Sequence, residues 1–165
     1  MNNALDAIAK GRERVLLTLA TGTGKTYLSA FDVQAFGAKK VLFLVHNRSI
    51  IRTAKKTYKN IFPKRSILEL TTKNQKELYH HDIVFSTDKT AYKVFIQGGF
   101  KQSHFDYVIF DEAHRIGEKT LYAKIISYLK PDFMLGMTAT PERTDKPRYL
   151  FETFDFQIPY EIRLL

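Results

Sequence analysis

No cysteine occurs in the 165 residues, which excludes disulfide staples, thiol nucleophiles and cysteine-ligated metals. Long hydrophobic runs are missing as well. The longest, around residues 41–45, has strand length and falls far short of the roughly 18 apolar residues that a membrane-spanning helix requires. The start, Met1-Asn2-Asn3-Ala4-Leu5-Asp6, has no charged stretch leading into an apolar one, so it does not read as a secretory signal. These absences together give the expectation of a cytoplasmic protein with no membrane partner.

Acid is scarce in one part of the chain. Between residues 39 and 76 there are eleven Lys and Arg and a single carboxylate, Glu69, so this stretch carries +10 while the whole chain carries +9. Such a basic stripe is the footprint of phosphate-backbone binding. A solvated, lysine-rich helix face accounts for the charge equally well. The remaining composition, 44% hydrophobic and 26% charged, is that of a folded globule and leaves out disordered and fibrous classes. The length suits one domain.

Short apolar runs alternate with amphipathic stretches, the pattern of a parallel sheet with crossover helices. Residues 3–10 read as a short helix stopped by Gly11. Strands are expected at 14–19, 40–45, 66–70, 82–85, 107–110 and 133–137, and helices at 25–36, 49–61, 88–97 and 118–129. About six strands with intervening helices make a doubly wound, three-layer α/β domain with a mostly parallel central sheet. In such sheets ligands bind beyond the carboxyl ends of the strands.

The strongest local signal is Ala20-Thr21-Gly22-Thr23-Gly24-Lys25-Thr26, after a strand and opening a helix. Glycines let successive backbone N–H groups turn inward around phosphate oxygens, and the helix N-terminus adds positive potential. Thr21, Gly22, Thr23 and Gly24 would form the cradle. Lys25 would reach the β- and γ-phosphates of ATP, and the Thr26 hydroxyl would ligate Mg²⁺. The strict phosphate-loop pattern has a glycine where this chain has Leu19. The second signal is Asp111-Glu112-Ala113-His114, after the apolar run Tyr107-Val108-Ile109-Phe110. Asp111 is placed to hold Mg²⁺ through water, and Glu112 to deprotonate the water that attacks the γ-phosphate.

With Thr138-Ala139-Thr140 downstream, these motifs in order resemble the first RecA-like motor domain of superfamily 2 helicases of the DEAH type, across essentially the whole chain. That family commonly lacks the glycine replaced here by Leu19. The resemblance implies that His114, Thr138 and Thr140 couple the nucleotide state to nucleic acid and to a second motor domain. It also implies phosphate contacts from His46, Asn47 and Arg48 after the second strand, and from Ser86, Thr87 and Lys89 after the fourth. Ordinary helix caps at Ser49 and Thr87 are the competing reading. The run from Asp111 to Arg115, followed by Leu135 to Asp145, resembles helicases related to type I and type III restriction enzyme motor subunits. The tail is like that of bacterial helicases carrying a phospholipase D-like nuclease domain.

The resemblance thus implies a nucleic-acid-dependent ATPase whose partner is DNA before RNA. Hydrolysis in this family needs a second RecA-like domain that supplies arginine fingers. No second phosphate loop is written here, and residues 156–165 read as a strand leading into that absent domain. Both ends read as trimmed at domain boundaries, with residues 1–165 forming one such domain that binds Mg-ATP and hydrolyses it poorly alone. Asn-Lys-x-Asp and Leu-Ser-Gly-Gly-Gln are absent, which argues against a GTPase and a transporter ATPase. A binding module without turnover stays open as the alternative.

Overall fold

The computed structural model describes residues 14–19, 24–113, 120–139 and 156–160. The helix expected at 3–10 lies outside them. Seven strands form one sheet: β1 (Arg14–Leu19), β2 (Val41–Val45), β3 (Ile67–Glu69), β4 (Ile83–Thr87), β5 (Tyr107–Phe110), β6 (Phe133–Thr138) and β7 (Phe156–Tyr160). Their spatial order is β3-β4-β2-β5-β6-β1-β7, and every pairing is parallel. The expected parallel α/β sheet is therefore present, with one strand more. The strand expected over 156–165 is described for residues 156–160, which pair with β1 as the sheet's edge. Pro159, which has no N–H to give to a ladder, is tolerated at such an edge.

The crossovers are α1 (Lys25–Phe36), α2 (Arg48–Ile61), α3 (Asp88–Ala91) and α4 (Leu121–Tyr128). Gly37 ends α1 at φ 75°, the left-handed conformation that glycine adopts without strain, and its N–H bonds back to Val33 and Gln34. The expected helix at 88–97 is α-helical only for its first four residues and continues as a π-helix over Tyr92–Gln97. A 3-10 helix, Gln75–His80, occupies the polar stretch between β3 and β4.

Because strand side chains alternate, one sheet carries two cores. Val41, Phe43 and Val45 of β2 face α1 and α2, joining Ala30, Val33, Ile51 and Tyr58. Leu42 and Leu44 face the opposite layer, with Phe95, Tyr122, Ile125 and Ile126. Helix α2 buries Ile51, Ala54, Thr57 and Tyr58 and leaves Arg52, Lys56 and Lys59 in solvent. No helix among the described residues is long and apolar enough to cross a membrane.

Two polar links tie α1 into the first core. The Ser29 hydroxyl donates to the Thr26 carbonyl at 2.7 Å and lies 2.8 Å from the Tyr58 hydroxyl. With its one hydrogen committed to Thr26, Ser29 accepts from Tyr58, whose burial holds the phenol well above its ordinary titration range and so protonated. Farther along α1, Tyr107 donates its hydroxyl to Asp32. Burial pushes the Asp32 carboxyl up from 3.8 to about 6, with the Tyr107 hydrogen bond pulling the other way.

Between those two values the folded chain holds the Asp32 proton more tightly than the unfolded chain. The stability this group contributes is therefore complete below about pH 4 and is lost as the pH rises through about 6. Asp32→Asn keeps an acceptor for Tyr107 and removes the buried charge. It should raise the melting temperature near about pH 8 by a few degrees, on the order of 1–2 kcal/mol after solvent screening. Near about pH 4 the two proteins should melt together. Thermal unfolding followed by circular dichroism at both pH values decides it, and an equal shift at each would remove Asp32 as the titrating group.

Candidate functional site

All strands being parallel, their carboxyl ends share one rim, and the candidate residues fall along it in the order of the strands. After β1 the chain reaches Gly24, which caps α1 at φ 70° and ψ 35°. A β-carbon is strained there, which is the physical reason for glycine before Lys25. The Gly24 carbonyl accepts the first helical bond of α1, from Leu28 N–H at 3.1 Å. Lys25 and Thr26 thus occupy the first turn, where helix N–H groups point toward any bound anion.

Asp111 follows β5, two strands from β1. It is 1% exposed, yet its Oδ1 meets the Lys25 ammonium at 2.9 Å and accepts the Glu112 N–H at 2.9 Å. The two strongest sequence motifs, 86 residues apart in sequence, therefore touch. The backbone at this point is held from behind. Asp111 N–H donates to the Leu44 carbonyl at 2.9 Å, and the Tyr122 hydroxyl donates to the Asp111 carbonyl at 3.0 Å. Thr138 ends β6 between them, fully buried and in register with Thr18 of β1. Thr21, Gly22, Thr23, His114 and Thr140 lie outside the described residues.

The second group of candidates surrounds the ends of β2, β4 and β3. His46 Nδ1 lies 3.8 Å from an Asp88 carboxylate oxygen, linking the turn after β2 to the start of α3. Asn47, not Ser49, caps α2: its side-chain oxygen accepts the Ser49 N–H at 3.0 Å. Thr87 caps α3 by accepting from Thr90 N–H. Arg48 and Lys89 are exposed. Ser86 is a correction: it belongs to β4, is fully buried and donates its hydroxyl to the Thr87 carbonyl, so it offers nothing to a ligand on the rim. The expected strand ended one turn of the pleat too early, at Phe85.

Arg48, Thr87 and Lys89 line one cleft of about 290 Å³ with Thr71, Thr72, Thr90 and Lys93, four residues that the motifs did not indicate. Thr90 and Lys93 follow Thr87 at helical spacing, a legible signal. Thr71 is positioned by Asn74, whose side chain accepts the Thr71 N–H and donates to the Glu69 carbonyl, both at 2.8 Å. The basic stretch, moreover, is not one surface. Lys40 and Arg65 pair with Asp82 at the amino end of the sheet, and Asp106 accepts the backbone N–H groups of Lys39 and Lys40. Arg48 starts α2 at the carboxyl rim, whereas Arg52, Lys56 and Lys59 lie on the solvent side of that helix.

The chain is similar to known proteins in sequence and in fold. The family model described as type III restriction enzyme, res subunit, matches residues 1–143. The chain is 28% identical over 158 residues to a type I restriction enzyme EcoAI endonuclease subunit of Escherichia coli, covering 87% of this chain and 19% of that protein. It is 26% identical over 157 residues to the putative ATP-dependent helicase IRC3 of Saccharomyces cerevisiae, covering 86% and 22%. The chain thus spans about a fifth of the length of these curated relatives. Among solved structures, the Pyrococcus furiosus Hef helicase domain aligns with a TM-score of 0.79 at 19% identity, over 96% of this chain and 37% of that one. The Sulfolobus solfataricus SWI2/SNF2 ATPase core in complex with dsDNA gives 0.72 at 14%, over 96% and 42%. At such identities the likeness is one of fold.

Glu112 has φ 52°, the one non-glycine residue with positive φ among those described. The left-handed region costs a β-carbon-bearing residue about 1–2 kcal/mol, a strain that recurs where a side chain must be aimed. Comparing Glu112→Gly with Glu112→Ala isolates this cost, since both lose the carboxylate. The glycine variant should be the more stable of the two by about 1 kcal/mol in chemical denaturation. An alanine variant as stable as the glycine one would remove the strain.

Proposed function

The chain belongs to the type III restriction enzyme, res subunit family, and on that premise we propose that it is the ATP-binding, first RecA-like domain of a motor acting on nucleic acid, DNA before RNA. The observation that carries this reading is the 2.9 Å contact between Lys25 and Asp111 at the carboxyl rim. A lysine in the first turn of a helix, behind a glycine-rich turn, suits a triphosphate. Its ammonium rests on the carboxylate that a metal ion would use.

The donor set also fits Mg²⁺. The Thr26 hydroxyl and the Asp111 carboxylate supply oxygen alone, as a small hard cation demands, and Asp111 already holds a positive charge at its buried oxygen. The ion, when bound, would neutralise the β- and γ-phosphates. Lys25 would turn from Asp111 to phosphate as nucleotide enters. Glu112, half-buried beside Asp111, would take the proton from the attacking water. Thr21, Gly22 and Thr23 would complete the phosphate cradle, and His114, Thr138 and Thr140 would pass the nucleotide state on. Along the same rim, Arg48, Thr87 and Lys89 would hold strand phosphates. Turnover would require a second RecA-like domain, so the 165 residues alone would bind Mg-ATP and hydrolyse it slowly.

Lys25→Ala should weaken Mg-ATP binding by about a hundredfold, the loss of one charged hydrogen-bond donor. Calorimetry giving equal affinity would sink the phosphate-loop assignment. Glu112→Gln should keep ATP binding and lower hydrolysis in the whole protein by about 10²–10⁴-fold. Parallel loss of binding and turnover would show a structural role instead. Arg48→Ala should weaken single-strand binding and nucleic-acid stimulation of the ATPase, whereas Lys56→Ala, on the solvent side of α2, should lower affinity slightly and spare stimulation. The opposite pattern would displace the nucleic-acid surface from the rim to the helix.

A further inference from the structure

Arg48 is not idle in the structure. Its Nε donates to Glu69 Oε1 at 3.0 Å, although 72% of the Arg48 side chain is open to solvent. Glu69 is the sole acid between residues 39 and 76. It ends β3 at the carboxyl rim and lines two clefts at once, the one of about 290 Å³ with Thr72, Thr87 and Lys89, and a second with Arg52 and Lys55. The turn that follows is braced, since Asn74 clamps the Glu69 carbonyl and the Thr71 N–H. The backbone that carries the carboxylate is thus fixed where the surrounding side chains offer hydroxyl and cationic donors.

An acid in the middle of a phosphate-binding surface opposes the ligand. We propose that Glu69 is an internal counter-anion: it occupies Arg48 in place of a phosphate, and a nucleic-acid strand gains Arg48 only by displacing it. The proposal rests on the nucleic-acid reading given above and adds to it a residue that sets affinity downward. An exposed pair of this kind is weak, so the exchange is readily reversible and keeps the contact with the strand brief. It also alters the ion balance. When a phosphate takes Arg48, the strand sheds cations, while the released Glu69 collects one from solution. The wild-type protein should therefore have a shallower salt dependence than its count of phosphate contacts implies.

Binding of a fluorescein-labelled oligothymidylate and of a labelled duplex, followed by anisotropy across a salt series, tests this in the whole protein. The proteins compared are wild type, Glu69→Gln, Arg48→Ala and the double variant. Glu69→Gln should tighten binding about two- to tenfold at low salt and steepen the logarithmic salt slope by about one. In the Arg48→Ala background the same substitution should change affinity far less, because the partner it frees is gone. An equal gain in both backgrounds would reduce Glu69 to a bulk negative charge and overturn the proposal, as would no gain in either. If wild type and Glu69→Gln both bind neither probe, the nucleic-acid reading falls and takes this one with it. If wild type binds and Arg48→Ala does not weaken it, the rim assignment fails separately.

Discussion

A carboxylate that is 1% exposed cannot stand ionised without a partner, and Asp111 has one in Lys25. The pair joins the end of β5 to the start of α1 across the width of β6. Each side of the contact is held by its own backbone: Gly24 in a conformation that strains any residue with a β-carbon, and Asp111 fixed to Leu44 and Tyr122. The rim is organised around this charge. A phosphate or a metal ion arriving there would meet one cation already balanced against one anion, and would bind by exchange of partners. Neither charge has to be left bare in the interior, a condition that would cost several kcal/mol.

Charge is distributed along the sheet according to which end of a strand a residue occupies. Lys40 and Arg65 precede β2 and β3, and their side chains are spent on Asp82 and on the carbonyls of His81 and Lys39. Arg48, Lys89 and Lys93 follow β2 and β4 and remain exposed. A linear count of Lys and Arg merges these groups, although the length of a strand separates them. The basic surface at the carboxyl rim is accordingly smaller than the +10 of residues 39–76 suggests.

Most of the architecture was legible because both faces of a parallel sheet are covered. Its strands then read as continuous apolar runs, and β1 and β5 have the predicted bounds. The two motifs singled out by residue type and spacing meet in the structure through Lys25 and Asp111. Failures fall where a residue's neighbours come from elsewhere in the chain. Ser86 looked like a rim hydroxyl, but the pleat continues through it and turns it inward. Residues 156–160 were legible as a strand, but their pairing with β1, some 140 positions earlier, is one that no local pattern encodes. The Arg48–Glu69 contact and the Tyr122 support are likewise tertiary. The π-helix over Tyr92–Gln97 has the apolar spacing of an ordinary helix, so periodicity could not distinguish it.

The hydroxyl chain from Tyr58 through Ser29 to the Thr26 carbonyl makes the first turn of α1 and the far end of α2 a single mechanical part. Ser29 sits one turn beyond Lys25, and Tyr58 lies ten residues from Arg48, about 15 Å of helix. Buried Ile51 and Ala54 seat the rest of α2 on the sheet, so this helix has no loose end. A displacement of the first turn of α1 would pass to α2 as one rigid body, Arg48 included.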